Sequence, residues 1–175
     1  GAQAFSTLCD MRTILMSFQS PQSLATVKVD TVLQSFVNYL DALEECHHSD
    51  QITIGTSWGD MFAPTRFVKM KENVLFEIIS SKLNVAIWLA GFACYTLQEK
   101  ADLNDIDNDY FKQAYHALLT AARLIHTIKE VDRDRFYQKP SVRSSSSLAL
   151  EYSDIDFLDA LCKQYLAEAQ EITVN

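Results

Sequence analysis

The chain has 175 residues, 48% of them hydrophobic and 22% charged, which is a folding composition and enough length for one domain with a sizeable core. The formal net charge of −8 argues against the general electrostatic mode of nucleic-acid binding, which needs a basic face. With only four Gly and three Pro, helices are favoured over a turn-rich sheet.

Residues 3–18 place Phe5, Leu8, Met11, Leu15 and Phe18 at helical spacing, and Pro21 then marks a break. A second helix is predicted over 23–46. Its stripe is Val29, Leu33, Phe36, Leu40 and Leu43, widened by Val32 and Val37. Residues 51–64, QITIGTSWGDMFAP, change character. Ile52 and Ile54 alternate with Thr53 and Gly55, predicting a short strand or a β-hairpin near residues 51–62. The strongest helical pattern covers 69–98. Leu75, Ile79, Leu83, Ala86, Leu89 and Ala93 line one side, and Val74, Ile78, Val85, Trp88, Phe92 and Tyr95 widen it. Apolar residues cover most of its circumference, so it should be central. At ~1.5 Å per residue it spans roughly 40 Å, which predicts an elongated body.

After the polar stretch EKADLNDIDN (99–108), a helix is predicted over 108–131, with Phe111, Ala114, Tyr115, Leu118, Ala121, Ala122, Ile125 and Ile128 inward. Lys129 near its end suits the helix dipole. Residues 132–152 contain SSSS and read as a long connection, mobile or regulatory. Ser153 or Asp154 caps the last helix, in which Leu158, Leu161, Tyr165, Ala169 and Ile172 share one face. The expected fold class is thus mainly α: an elongated helical bundle with one small β-hairpin, forming a single domain over 1–175.

The search for chemistry yields little. Glu44/His47 and Glu45/His48 have the three-residue spacing of a carboxylate–imidazole metal pair, but no second Glu-x-x-His follows. The expected reading is a helix terminus; a metal-carboxylate enzyme built on these four residues is the rival. Cys9, Cys46, Cys94 and Cys162 lie far apart and read as free thiols of a reducing compartment, Cys94 as a core thiol. Glu77, between Phe76 and Ile78, is expected partly buried and paired with a lysine or a backbone donor. Asp102–Asp109 lacks the mid-loop Gly and final Glu of a calcium loop. Arg133, Arg135, Lys139 and Arg143 form a modest positive stretch, read as a solvated loop, with a phosphate or acidic-membrane contact as its sharper reading. No catalytic residue, metal ligand or cofactor is expected. No 18-residue apolar run and no signal peptide is read.

Five stretches in order carry a resemblance: VLQSFVNYLDALEE (32–45), TSWGDMF (56–62), NVLFEIISSKLNVAIWLAGFA (73–93), YFKQAYHALLTAARLIHTIKE (110–130) and YLAEAQEITV (165–174). Together they resemble the N-terminal half of the Bro domain family. The resemblance implies a small sheet resting on long helices, and a non-catalytic scaffold that binds an amphipathic helix of an ESCRT-III subunit in endosomal sorting. It also implies a cytoplasmic protein, recruited to endosomal or other membranes only indirectly or peripherally. Because the family continues beyond the last helix, the chain reads as a partial or truncated domain. Within 63–71, matching a variable family loop, Phe67 is a candidate partner-binding residue. On the last helix, Lys163, Gln164 and Glu168 are candidates for bordering a binding groove. The rival to a helix-binding scaffold is a self-associating structural domain, dimeric through the C-terminal helix.

Overall fold

The computed structural model describes residues 2–18, 26–49, 56–59, 67–70, 74–101, 108–138 and 154–174. The helices are α1 (Ala2–Ser17), α2 (Val29–Ser49), α3 (Val74–Ala101), α4 (Asn108–Thr127), α5 (Arg133–Gln138) and α6 (Ile155–Val174). A π-helical turn, Ile128–Asp132, joins α4 to α5.

The β-hairpin expected near residues 51–62 is overturned. Thr56–Gly59 (β1) does not fold back on its own neighbours. It pairs antiparallel with Phe67–Met70 (β2), in register Thr56 with Met70 and Gly59 with Phe67. Phe67 thus lies in a strand and not in a loop. The predicted start of the central helix at 69 is corrected by the same finding, because Lys69 and Met70 belong to β2 and α3 begins at Val74. Alternation in Ile52–Gly55 suggested the earlier position, and those residues lie outside the described ones. Four-residue strands are too short to stand alone, and β1 meets α3. The molecule is therefore a helical bundle, with this ladder as the one sheet among the described residues.

The axis of the bundle is α3. From Val74 to Ala86 every residue except Asn84 is buried, as expected of a helix apolar on all sides. By length and composition α3 could cross a membrane, contrary to the sequence reading; 78% of its most apolar window is buried within the bundle. Lys82 meets Asp132 near one end of α4, while Glu99 and Tyr110 share a surface groove at the other. The two helices therefore run antiparallel.

Neighbouring helices bury narrower stripes. On α2 the buried line is Val32, Phe36, Tyr39, Leu43 and Cys46. It is rotated from the predicted one: Val37 is 45% exposed, and Leu33 and Leu40 sit at the flank. On α1, Leu8 and Leu15 are buried. Fully burying a leucine of this kind is worth about 2 kcal/mol.

The last helix begins as its sequence predicts, with Asp154 as the cap. Its carboxylate accepts the Asp156 N–H at 2.9 Å, and its carbonyl accepts the Leu158 N–H at 3.0 Å. Leu158, Tyr165 and Ala169 are buried, and α6 packs on α4. The Cys162 Sγ lies 3.5 Å from the Ala122 carbonyl, and Lys129 Nζ lies 2.8 Å from Asp159, so α6 runs antiparallel to α4. The apolar stripe of the terminal helix is thus covered within the chain.

Candidate functional site

Two polar clusters hold the first half of α3. In one, the fully buried Glu77 accepts hydrogen bonds on the same Oε1 from Tyr39 Oη at 2.7 Å and Arg12 Nε at 2.8 Å. Glu77 was expected to be only partly buried, with a lysine or backbone partner. The structure instead pins α1 and α2 to α3 through an arginine and a phenol. Burial, and then the negative charge of Glu77, push the Tyr39 phenol well above its usual value.

In the other cluster, Lys82 Nζ meets Asp132 Oδ2 at 2.6 Å, and both side chains are almost fully buried. Arg135 Nη1 lies 3.6 Å from Asp132 Oδ1. The same guanidinium donates to Glu44 through a two-pronged fork, 3.0 Å to Oε1 and 2.8 Å to Oε2. Hydrogen bonding from Arg135 holds the Glu44 carboxyl below the usual carboxylate range, and the same bond raises Arg135. Both Glu44 oxygens are thereby engaged, which removes this residue from the metal-pair reading. The His48 side chain lies outside the described residues. Among the described residues no three His, Cys, Asp or Glu side chains gather as a metal site.

The second half of α3 is buried at Trp88, Leu89, Phe92, Ala93 and Thr96 and exposed at Ile87, Cys94, Gln98 and Glu99. Beside it lies a groove of about 800 Å³, in the usual size range of binding pockets. The start of α2 and the residues before it form one wall, with Val27, Val29 and Leu33. Phe92, Tyr95, Thr96 and Glu99 of α3 form the second, and Tyr110, Gln113, His116, Ala117 and Thr120 of α4 the third. Phe92 is 8% exposed and stacks on Trp88, with ring centroids 5.7 Å apart, so it is a rigid element of the lining. Lys28, Asp30, Glu99 and His116 are its exposed charged or titratable residues.

None of the sequence candidates lines this groove. Phe67 is paired through β2 with Gly59. Lys163 is exposed and bonded to Asp159 at 2.6 Å, and Gln164 donates to Glu168 at 2.9 Å on the same helix. The structure brings these last three together on α6 and leaves Phe67 on another element. Hydrogen bonds from Lys129 and then Lys163 hold the Asp159 carboxyl down to about 2. Beyond the buried stripe, Ile155 and Leu166 are the large apolar residues of α6 that stay exposed among the described residues.

The thiols also need correction. Cys94 is exposed and not a core thiol, while Cys46 is buried and Cys162 intermediate. Burial raises the Cys46 and Cys162 thiols, which disfavours the nucleophilic thiolate. Burial likewise pushes the Tyr165 phenol up to about 12.

Comparison with protein-family models and with curated proteins finds no match to the chain.

Proposed function

We propose that the chain is a non-catalytic scaffold that binds an amphipathic helix of a partner protein, of the kind the ESCRT-associated resemblance implies. The observation that carries this reading is the open groove beside Phe92, walled by three helices. Its Leu33, Phe92 and Ala117 offer an apolar seat of the kind that accepts the i, i+3, i+4 residues of an incoming helix. The ordered stretches 32–45, 56–62, 73–93, 110–130 and 165–174 give the partner class: the amphipathic helix of an ESCRT-III subunit. A cytoplasmic setting and recruitment to endosomal membranes through that partner follow from the same reading.

The test is a titration of a fluorescent ESCRT-III C-terminal helix peptide, followed by anisotropy. The chain should bind it saturably. Gln113→Trp places a bulky ring on an exposed position of the groove and should weaken binding about tenfold or more. Absence of binding to the unmodified chain, or equal binding to the variant, would remove the groove from this role.

A further inference from the structure

Helix α1 is attached along a narrow line. Among its described side chains only Leu8 and Leu15 are buried; Met11 and Arg12 are half-buried between them, and Ile14 is 51% exposed. The helix packs mainly on α2. Thr13 and Ser17 turn their hydroxyls to carbonyls of α1 itself, those of Cys9 at 2.8 Å and Ile14 at 2.6 Å, so these bonds tie α1 to itself and not to its neighbours. Beneath α1 lies a charge. Glu77 of α3 is fully buried, and Tyr39 of α2 donates to its Oε1 at 2.7 Å, so α2 and α3 hold the carboxylate in place. Arg12 Nε meets the same oxygen at 2.8 Å, from a side chain that is 31% exposed. A buried carboxylate favours a cation over a neutral or acidic neighbour. Leu8, Met11, Arg12 and Leu15 stand at i, i+3, i+4 and i+7, the spacing by which an amphipathic helix enters a groove. Helix α1 thus sits on α2 and α3 as a bound helix sits on its receptor.

We infer that the seat at Tyr39 and Glu77 is a helix-binding site in its own right, separate from the groove beside Phe92, and that α1 of a second copy of this chain occupies it, with Arg12 of the second copy meeting Glu77. What fits the seat within one chain fits it between two, because the exchange keeps each contact and changes only the copy that supplies it. The buried charge selects the occupant: a helix with an acidic residue at the position of Arg12 is refused. Lost translational and rotational freedom opposes the exchange, so the dimer grows with concentration.

The probe is a fluorescent peptide of residues 2–17, followed by anisotropy, with an Arg12→Glu peptide as its control. Each is titrated into the unmodified full chain and into full chains carrying Arg12→Gln or Arg12→Glu, with folding checked by circular dichroism. Loosening the resident helix frees the seat, so the peptide should bind the Arg12→Glu chain about tenfold tighter than the unmodified one, with Arg12→Gln between them. The control peptide should bind none of them. Gln113→Trp, in the groove beside Phe92, should leave peptide binding unchanged. Light scattering of the unmodified chain should show a dimer that grows with concentration, and Arg12→Glu should suppress it. Equal affinity of the peptide for all chains, or binding lost in Gln113→Trp, overturns the seat and leaves the groove reading standing. Capture of the peptide by a chain that stays monomeric at every concentration overturns the second copy as occupant. If both Arg12 variants unfold, the unmodified chain decides: preference for the peptide over its control supports the seat, and equal binding overturns it.

Discussion

The two halves of α3 are built from similar apolar residues and end in different surroundings. From Val74 to Ala86 the helix is enclosed, and charges enter only as partners: Glu77 with Tyr39 and Arg12, Lys82 with Asp132. From Ile87 onward exposure returns at Ile87, Cys94, Gln98 and Glu99, and a groove opens beside Phe92. The difference teaches that hydrophobicity alone does not assign a role along a helix. In the first half two polar anchors, Glu77 and Lys82, fix which neighbours pack where, so that half is specified. In the second half exposed positions alternate with buried ones, and a groove runs between this helix, α4 and the start of α2.

If the first half carries stability, removing its anchors should unfold the chain, whereas exposed groove substitutions should not. The largest effect is expected from Asp132→Ala. It strands the Lys82 ammonium, whose side chain is 8% exposed, and should cost about 3–5 kcal/mol in urea unfolding. A loss under about 1 kcal/mol would show that Lys82 is readily solvated there, and the contrast between the halves would weaken. Next comes Glu77→Gln, which keeps the shape and an acceptor for Tyr39 but removes the charge facing Arg12. A loss of about 2 kcal/mol is expected, by the same measurement. Stability equal to that of the unmodified chain would mean that α1 docks through Leu8 and Leu15 alone.

The smallest effect is assigned to Glu44→Gln, because the Arg135 fork is about one-third exposed and screened by solvent; about 1 kcal/mol is expected at neutral pH. Its folded pKa lies below the ordinary 4.5. The contribution is therefore fully present above pH 4.5 and is lost as pH falls through the folded value. Unfolding curves of variant and unmodified chain should converge in acid. A gap that persists there would assign the effect to packing instead of charge.

Much of the helical skeleton was legible because periodicity reports burial directly. The inner faces of α3, α4 and α6 follow the spacing of Leu, Ile and Ala, except that Phe111, predicted inward on α4, is exposed, and Asp154 caps as its residue type suggests. The failures share a physical cause: they depend on partners distant in sequence. The stripe of α2 turns toward Tyr39 because its hydroxyl reaches Glu77, thirty-eight positions away. Strand β2 was read as loop because FVKM is too short to show a period. Residues Arg133–Gln138 were read as solvated connection, yet Phe136 is fully buried and Arg135 grips Glu44. The groove was missed for a different reason. Phe92, Tyr95 and Tyr110 look like ordinary core wideners, and what distinguishes them is the groove they line together with the start of α2. A mostly apolar helix whose polar residues thicken toward one end, as at Thr96, Gln98 and Glu99, was the available signal.

The π turn closes with the Arg133 N–H bonded to the Ile128 carbonyl, five residues back instead of four. One turn therefore holds an extra residue, and everything after it is rephased by one position. Deleting a single residue between Ile128 and Asp132 would regularise the helix and at the same time swing Phe136 and Arg135 off their partners. For pattern matching the effect is a frameshift: an ungapped helical template laid over 108–138 stays in step to Thr127 and is one position out beyond it.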